Sequence, residues 1–333
     1  MISFLSVARF QKVIPPSLTP SRFKKQNGFG DDVFARLFAA SLDPDSAPLS
    51  PEPRILKSRL VAGKTLYGLF LLSSSPTLAE IAGLAGYDYV VVDMEDGSSG
   101  IAEALPCLRA LAAARTPAIL RLSELSAAWA KKALDLGPQG LMFPMIESPG
   151  AAELAVSFCR FPPRGVRGSA HTVVRASTYG IDDGYLARAD EELLVMCQVE
   201  TAAGLAEIEA IAGVEGVDVV QMEPLDLSTS MGYLWDPRNR KVRDAMKEAE
   251  RKVLGMRNKL SAAEGDGAGE RGPYFGGGGG GLAMPHDRAE NMKIRGYHMV
   301  TGAVDVGIFR QAAVEDVRRW RSAEVDIGEE TKL

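Results

Sequence analysis

Apolar runs of strand length alternate with segments of helical periodicity along most of this chain. The clearest unit covers residues 193–233, where the apolar run 193–199 predicts a strand buried on both faces. Apolar residues at helical spacing predict a helix over 202–211, and a second apolar run predicts a strand over 217–222. A right-handed strand–helix–strand connection sets two such strands parallel, often as neighbours.

The same alternation recurs on both sides of this unit. We predict strands at 66–72, 87–92, 118–122, 140–144, 193–199, 217–222, 282–284 and 297–300. Eight strand–helix alternations match a (β/α)8 TIM barrel better than an open doubly wound sheet. No glycine-rich phosphate loop follows the first strand, so an open-sheet nucleotide-binding protein lacks its usual support.

Two further segments precede the last two predicted strands. A helical region is predicted over 237–256. Residues 257–281 are polar and end in the glycines 276–281, so we predict an irregular connection there, either loosening the barrel locally or having no role. A final helix is predicted over 304–320.

Composition is that of a globular α/β protein. Of the 333 residues, 46% are hydrophobic, and the formal net charge of −5 offers no general attraction to nucleic acid. The three cysteines lack metal-ligand spacing and predict reduced core thiols. No apolar run approaches the roughly 20 residues of a membrane span, so we predict no membrane partner.

The first part of the chain differs from the rest. Residues 1–27 are basic, contain serine and lack acidic residues, which is typical of an organelle transit peptide. The alternatives are an untargeted tail and an artefact of gene prediction. A Pro- and Ser-rich stretch follows at 41–53. We therefore predict a transit peptide and disordered linker over 1–53, the barrel over 54–321 and a polar tail over 322–333.

Carboxylates follow the two strands of the clearest unit. Glu200 ends one strand and Asp226 follows the next, so both are expected at the carboxyl ends, where such barrels carry their chemistry. Adjacent carboxylates repel each other unless a proton or a cation lies between them. Mg²⁺ or Mn²⁺ suits such oxygen ligands. Alternatively, Glu200 caps the following helix and Asp226 opens a turn.

The other predicted strand ends carry mainly acids and a single arginine. These residues are Asp93, Glu95, Asp96, Arg121, Glu147, Gln198 and Glu223. An arginine beside a cation could bind a substrate carboxylate through two parallel hydrogen bonds. For Glu95 and Glu147 the alternative is a helix cap that faces water.

Six motifs occur in the order of a known family. They are YDYVVVDMEDG, AILRL, GLMFPMIES, the Arg-Gly-Ser-Ala loop, CQVET and EPLDLSTSMGY. Over residues 66–320 the chain resembles the metal-dependent 2-oxo-acid aldolases of the 4-hydroxy-2-oxoheptanedioate aldolase (HpcH/HpaI) family, related to the citrate lyase beta chain. It resembles most the plant, organelle-targeted branch.

The resemblance implies a TIM barrel of the phosphoenolpyruvate/pyruvate-binding type and a site within it. Glu200 and Asp226 would hold a divalent metal, Mg²⁺ or Mn²⁺. Gln198 would lie in the substrate pocket, together with Leu225 and Asp226. Arg121 would bind the 2-oxo acid and stabilise its enolate.

The resemblance also implies an activity and an assembly. Family members form or cleave a carbon–carbon bond between pyruvate, or a close relative, and an aldehyde. They form homo-oligomers, so a hexamer or trimer that exchanges the last helix is expected. Resemblance to the organelle-targeted branch implies that the protein is located in a plastid rather than a mitochondrion. The alternative location is the cytoplasm.

Two positions depart from the family pattern. Asp93 would belong to an acid–base pair, but Asp96 occupies the position of the family histidine, and an aspartate is a general acid only if its pKa is raised. Glu223 replaces a glycine, and we hypothesise that it reaches toward Arg121 or the metal and competes with the substrate. Both departures favour an alternative function, a non-catalytic barrel that binds a metal or a partner.

The three histidines provide one candidate for the missing proton shuttle. His298 is predicted in a strand and therefore in the core. His286 follows the predicted seventh strand on the functional side. His171 lies in the long connection 160–190 and is the candidate that we expect to reach the pocket.

Overall fold

Eight parallel strands form a closed barrel in chain order, with the eighth strand pairing to the first. The protein is represented by a computed structural model that describes residues 56–264, 272–278 and 287–330. The strands are β1 (Leu66–Leu71), β2 (Tyr89–Asp93), β3 (Ala118–Arg121), β4 (Gly140–Phe143), β5 (Leu194–Val199), β6 (Val219–Met222), β7 (Tyr274–Gly278) and β8 (Met299–Val304). The predicted TIM-barrel fold is confirmed.

Helices separate the strands and cover the outside of the barrel. They are α1 (Leu56–Val61), α2 (Pro76–Leu84), α3 (Ile101–Ala113), α4 (Ala127–Asp135), α5 (Pro149–Cys159), α6 (Tyr185–Glu192), α7 (Ala202–Ala206), α8 (Ile208–Ala212), α9 (Pro224–Ser230), α10 (Arg240–Glu264), α11 (Ala289–Arg295) and α12 (Asp305–Glu330). A 3-10 turn over Arg175–Gly180 lies in the long connection between α5 and β5.

Alternation along the strands divides the buried residues into two cores. One set faces outward and packs beneath the helices. The other set, which includes Tyr89, Met142 and Met196, fills the barrel interior. Leu56 and Leu60 of α1 belong to this inner core, so α1 covers the amino-terminal end of the barrel. The polar residues at the opposite, carboxyl-terminal ends of the strands surround the other opening of the barrel, which we call the mouth.

The seventh strand is not where the sequence pattern places it. β7 is Tyr274–Gly278, within the stretch predicted to be irregular, and the predicted strand 282–284 lies outside the described residues. Its glycines suit crowded positions: a Cβ on Gly276 would lie 2.4 Å from Gln221 Oε1, and one on Gly277 would lie 2.8 Å from Tyr297 Cε1. The first glycines of the run therefore complete the barrel rather than interrupt it.

Three helical predictions also need correction. The helix predicted over 202–211 is divided into α7 and α8 at Glu207, whose φ of −98° and ψ of 10° break the helical repeat. The helical region after β6 continues through Glu264, beyond the predicted end. α12 continues through Glu330, so the segment predicted as a polar tail is largely helical.

The cysteines and helices bear on two expectations from composition. Cys107, Cys159 and Cys197 are buried free thiols, as predicted, and burial raises the pKa of Cys107 to about 11.

Of the helices in the described part of the chain, none has both the length and the apolar character that crossing a bilayer requires.

Candidate active site

The mouth of the barrel is organised around an ion pair between adjacent strands. Asp93 ends β2 and Arg121 ends β3, and the two residues are partners in the strand register. Arg121 Nε donates to Asp93 Oδ1 at 2.8 Å, and Arg121 Nη2 donates to Asp93 Oδ2 at 2.5 Å. Asp93 is 0% and Arg121 4% exposed. Burial alone would lower the pKa of Arg121, but the hydrogen bonds and charge of Asp93 outweigh it and raise that pKa.

Two more carboxylates contact the same guanidinium. Arg121 Nη1 lies 2.9 Å from Glu95 Oε2, and Arg121 Nη2 lies 2.8 Å from Asp96 Oδ2. Burial raises the pKa of Glu95 to about 8, while Arg121 opposes that rise. The alternative interpretation of Glu95 as a helix cap is wrong, because Glu103 accepts the hydrogen bond from the Gly100 N–H at the start of α3.

Glu200 is held at the end of β5 by hydrogen bonds to both carboxylate oxygens. Gln198 Nε2 donates to Glu200 Oε2, and the Met145 N–H donates to Glu200 Oε1 at 2.6 Å. The cap of α7 is Thr201, whose hydroxyl accepts from the Gly204 N–H at 3.1 Å. Glu200 is therefore not the helix cap, and its carboxylate interacts electrostatically with Asp226 and Arg121.

Asp226 lies in the first turn of α9, after the strand that pairs with β5. Burial raises the pKa of Glu200, and the nearby Asp226 charge adds to the increase. Burial and the charge of Asp96 likewise raise the pKa of Asp226. Leu225 precedes Asp226 in the same turn and is partly buried. The structure therefore brings the predicted metal and substrate residues to one mouth.

The donor chemistry of this mouth suits a hard divalent cation. Within residues 56–264, 272–278 and 287–330, no three or more His, Cys, Asp or Glu side chains are grouped to hold a metal. Mg²⁺ needs no such cage, because it commonly takes one or two carboxylates and keeps several waters. Glu200 and Asp226 form such a pair: burial raises the pKa of each, and a neighbouring carboxylate adds to the rise, Asp226 for Glu200 and Asp96 for Asp226. A cation would neutralise this negative charge.

Glu223 is not one of the residues that form ion pairs with Arg121 among the described contacts. Its N–H donates to Val199 O at 3.4 Å, and no ion pair joins it to Arg121 among the described contacts. Glu95 and Asp96 take those positions, because they follow β2, the direct neighbour of β3. Burial raises the pKa of Glu223 to about 8, with the Glu200 and Asp226 charges adding to the effect and Arg121 opposing it.

The long loop does not bring His171 to the carboxylates within this chain. His171 Nδ1 lies 3.3 Å from Ser169 Oγ, and its carbonyl accepts from Ser177 Oγ. Arg175 Nη1 donates to Leu136 O at 2.5 Å, which fixes the loop beside the end of α4 that precedes β4. The Arg175 segment of the loop therefore packs toward the amino-terminal side of the strands, and the hydrogen bonds of His171 are made within the loop itself.

Of the other two histidines, His298 alone lies among the described residues, and it is not at the mouth. His298 precedes β8, is partly buried and accepts from the Phe275 N–H through Nδ1 at 3.1 Å. His286 lies outside the described residues. Glu147 is exposed and faces water as its alternative interpretation expected, but it is not the helix cap, because the Ser148 hydroxyl accepts from the Ala151 N–H at 3.2 Å at the start of α5.

Two buried polar residues of the mouth region were missed by the sequence interpretation. Asp305, after β8, accepts from the N–H groups of Leu72 and Ser73 at 2.9 and 3.1 Å. Its position was hidden because the predicted eighth strand ended too early. Gln221 is fully buried in β6, and neither atom of its amide has a partner. A polar residue two positions before Glu223 was the available signal, since alternate strand residues share a face.

Sequence and structure comparisons agree on one family. The model of the family described as HpcH/HpaI aldolase/citrate lyase matches residues 66–262. A hydroxypyruvate/pyruvate aldolase of Deinococcus radiodurans is 36% identical over 212 residues, which are 64% of this chain and 76% of that protein. A 2-keto-3-deoxy-L-rhamnonate aldolase of Salmonella gallinarum is 40% identical over 177 residues, or 53% of this chain and 66% of that protein.

A solved structure from the same family has a similar fold. The crystal structure of an HpcH/HpaI aldolase/citrate lyase family protein from Burkholderia cenocepacia has a TM-score of 0.69 and 34% identity. The superposition covers 80% of this chain and 98% of that one. Because the family model also spans more than half of the 333 residues, this chain belongs to the HpcH/HpaI aldolase/citrate lyase family.

Proposed function

We propose that this protein is a carbon–carbon lyase, a metal-dependent aldolase that acts on a small 2-oxo acid such as pyruvate and an aldehyde. The observation that carries the proposal is the buried Asp93–Arg121 pair beside the Glu200 and Asp226 carboxylates. Family membership and the names of the relatives support the same reaction class.

The residues of the mouth fit the charge changes of an aldol cleavage. A base removes the proton of the C4 hydroxyl, the C3–C4 bond breaks to release the aldehyde, and the electron pair remains on an enolate that is then protonated at C3. A divalent cation held by Glu200 and Asp226 would supply Lewis acidity toward the ketone oxygen and the carboxylate. The Arg121 guanidinium, oriented by Asp93, stabilises negative charge on the enolate.

The acidic side chains beside Arg121 are the groups that transfer protons in this proposal. Asp96 is the proposed acid–base group with Asp93, because its side chain is 63% exposed and opens to incoming substrate. Glu95 lies on the same guanidinium at 2.9 Å. Gln198 and Leu225 line the substrate side of the proposed pocket next to Glu200 and Asp226.

The same contacts favour a second candidate function, a barrel that binds a metal or a partner without turnover. Arg121 already pairs with Asp93, Glu95 and Asp96, so a substrate carboxylate must displace Glu95 or Asp96 to reach it. Glu223 adds another acid at the position of the family glycine. Both features weaken the binding of an anionic 2-oxo acid.

Turnover and binding distinguish the two candidates. We expect aldol cleavage with Mg²⁺ or Mn²⁺ that is lost on Glu200→Gln and on chelation, and faster turnover in Asp96→His. Titration of pyruvate and of oxalate, an enolate mimic, should give cation-dependent binding. If the cation binds but neither ligand does, and Asp96→His is also inactive, the aldolase proposal is wrong and the non-catalytic barrel is favoured.

We also propose that the protein is a homo-oligomer, a trimer or hexamer, in which α12 packs against another copy of the chain. Large apolar side chains are exposed along this helix. They are Val306, Ile308, Phe309, Val314, Val317 and Trp320. Exposed apolar surface of this extent on one helix is typical of a protein–protein contact.

Organelle targeting is a separate proposal that rests on the basic, acid-free residues 1–27. Fusion of residues 1–53 to a fluorescent protein should direct it to plastids. Mitochondrial import would correct the organelle, and a diffuse cytoplasmic signal would reject targeting.

A further inference from the structure

Met145 is an apolar residue of the mouth that belongs to neither core of the barrel. It follows β4, and two consecutive hydrogen bonds fix the chain there against β5. The Met145 N–H donates to Glu200 Oε1 at 2.6 Å. The next N–H, that of Ile146, donates to Gln198 O at 3.0 Å. Ile146 is buried beneath the helices, whereas the side chain of Met145 is 52% exposed.

The backbone of Met145 has a conformation that residues with a side chain rarely adopt. Its φ is 53°, in the left-handed region that favours glycine. A glycine at this position would supply the same N–H to Glu200 without that cost, so the hydrogen bond does not require a methionine. Unfavourable backbone conformations of this kind cluster at active sites. We therefore looked for the role of Met145 in its side chain.

The charges of the mouth restrict what can bind beside Met145. Burial raises the pKa of three carboxyls there, those of Glu95, Glu223 and Asp226. Among the described residues, Arg121 is the one basic group that opposes these increases. In the proposed function the anionic 2-oxo acid takes this guanidinium. An aldehyde with a carboxylate or phosphate of its own would then meet negative charge that no second basic group offsets.

An uncharged apolar group fits the exposed side chain of Met145. The thioether chain is flexible and polarizable, so it adapts its shape to alkyl and aryl groups. Covering it removes apolar surface from water, which is favourable in proportion to the area covered. Its sulfur is only a weak hydrogen-bond acceptor, so it has little to offer to the hydroxyl groups of a polar chain.

We propose that Met145 is a specificity-determining residue whose side chain contacts the substituent of the aldehyde. The preferred aldehyde then carries an uncharged alkyl or aryl group, rather than hydroxyl groups or a second anion. Glu200 is 2% and Met145 52% exposed, so the Met145 side chain lies on the solvent side of Glu200, where the aldehyde enters. This inference rests on the proposed aldolase function.

Three aldehydes with the same four-carbon chain test the proposal in aldol addition to pyruvate, on the full-length protein with Mg²⁺. Butanal is apolar, erythrose carries hydroxyl groups, and 4-oxobutanoate ends in a carboxylate. We expect the kcat/KM for butanal to be the highest of the three and that for 4-oxobutanoate the lowest. Each comparison is a ratio measured on one protein, so it does not depend on the fraction of enzyme that is folded.

Substitutions at Met145 separate the apolar contact from the charge of the mouth. Met145→Gln keeps the length of the side chain and makes its end polar, so the preference for butanal over erythrose should fall about fivefold or more. Met145→Leu keeps an apolar side chain and should retain that preference. The ratio of erythrose to 4-oxobutanoate reports the charge alone and should stay the same in both variants. Leu154 of α5, which is 51% exposed, provides the matched control Leu154→Gln, with all ratios unchanged.

Two further measurements on Met145→Gln distinguish this role from an indirect one. The Kd of oxalate in the presence of Mg²⁺ should be unchanged, because the variant keeps the N–H that binds Glu200. The mass of the protein on a sizing column should also be unchanged. A smaller assembly in Met145→Gln, with the aldehyde ratios intact, would make Met145 a contact between copies of the chain and overturn the inference.

The outcomes separate the inference from the function on which it rests. If the wild-type protein prefers erythrose or 4-oxobutanoate, or if Met145→Gln keeps the wild-type preference for butanal, the aldolase function stands and the inference is overturned. If the wild-type protein neither binds oxalate nor converts any of the aldehydes, the proposed function fails and the inference fails with it.

Discussion

Asp93 and Arg121 form a two-point ion pair between β2 and β3, and it lies within the buried part of the mouth. The pair fixes the plane of the guanidinium while leaving Nη1 and one side of Nη2 for other anions, here Glu95 and Asp96. If Arg121 stabilises the enolate as proposed, Asp93 affects both folding and chemistry, and the two effects can be measured separately.

Removal of Asp93 should destabilise the protein strongly. Asp93→Ala leaves a buried guanidinium that keeps only Glu95 and the exposed Asp96, and breaking a buried pair costs about 3–5 kcal/mol. Urea unfolding measures this loss. The control is Glu192→Ala, which breaks the exposed Arg188–Glu192 pair and should leave the free energy of unfolding nearly unchanged. A similar small loss in both variants would contradict a structural role for Asp93.

Neutralising Glu95 should strengthen the binding of a substrate-like anion. Glu95 Oε2 lies 2.9 Å from Arg121 Nη1, where a carboxylate of oxalate would bind. At about pH 9, above its pKa of about 8, Glu95 is ionised, and Glu95→Gln replaces this competitor with a neutral amide. We therefore expect oxalate to bind about threefold to tenfold more tightly at that pH in the presence of Mg²⁺. Calorimetric titration gives the Kd. The exposed Glu80 of α2 provides the control variant Glu80→Gln. Unchanged affinity in Glu95→Gln would mean that the anion does not use Nη1.

The architecture was predictable because a parallel barrel leaves a strong sequence pattern. Strands buried on both faces appear as continuous apolar runs, and β5 and β6 are recognisable in this way. The adjacency of Glu200 and Asp226 followed from the strand–helix–strand connection, which sets those two strands parallel and next to each other. β7 was not recognisable, because glycine has low strand propensity and its strand is defined by the side chains of Gln221 and Tyr297 next to it.

The contacts inside the mouth were less predictable than its location. Pairing of Arg121 with Asp93, Glu95 and Asp96 depends on the register between β2 and β3, which a single sequence does not encode locally. The same limit led to the hypothesis that Glu223 reaches toward Arg121 or the metal, of which the pairing with Arg121 is wrong among the described contacts. Strand ends thus identify which residues face the mouth, whereas tertiary register decides which of them touch.

Stability should fall with rising pH because of Glu223. Its pKa is raised from about 4.5 to about 8 by burial and by the charges of Glu200 and Asp226. The folded state therefore binds this proton more tightly than the unfolded state, so the stabilisation is full below about pH 4.5 and is lost as the pH rises through about 8. We expect the Tm of the metal-free protein to decrease between pH 5 and 8.

Glu223→Gln tests this assignment. The amide cannot ionise, so the variant should lose part of the pH dependence and exceed the wild-type Tm at pH 8 by about 2 °C or more. Glu147→Gln, at an exposed carboxylate, is the control and should follow the wild-type profile. A Glu223→Gln profile parallel to that of the wild-type protein would assign the pH dependence to other groups, such as Glu95.

Disruption of the exposed face of α12 should reduce the size of the assembly. Phe309 is 71% and Trp320 67% exposed, which is unfavourable for side chains of this size unless another surface covers them. The double variant Phe309→Asp/Trp320→Asp places charges in that contact, and burying an unpaired charge is costly. We expect light scattering on a sizing column to show a smaller species than the wild-type oligomer, with an unchanged circular dichroism spectrum.

The control for this experiment carries the same chemical change on a different helix. Ile294 of α11 is 82% exposed, so Ile294→Asp adds a charge at an apolar surface position outside α12. This variant should keep the wild-type mass. If both variants keep it, α12 is not the contact between copies. If the wild-type protein itself is a monomer at micromolar concentration, its exposed apolar face must serve another partner, and the homo-oligomer proposal is wrong.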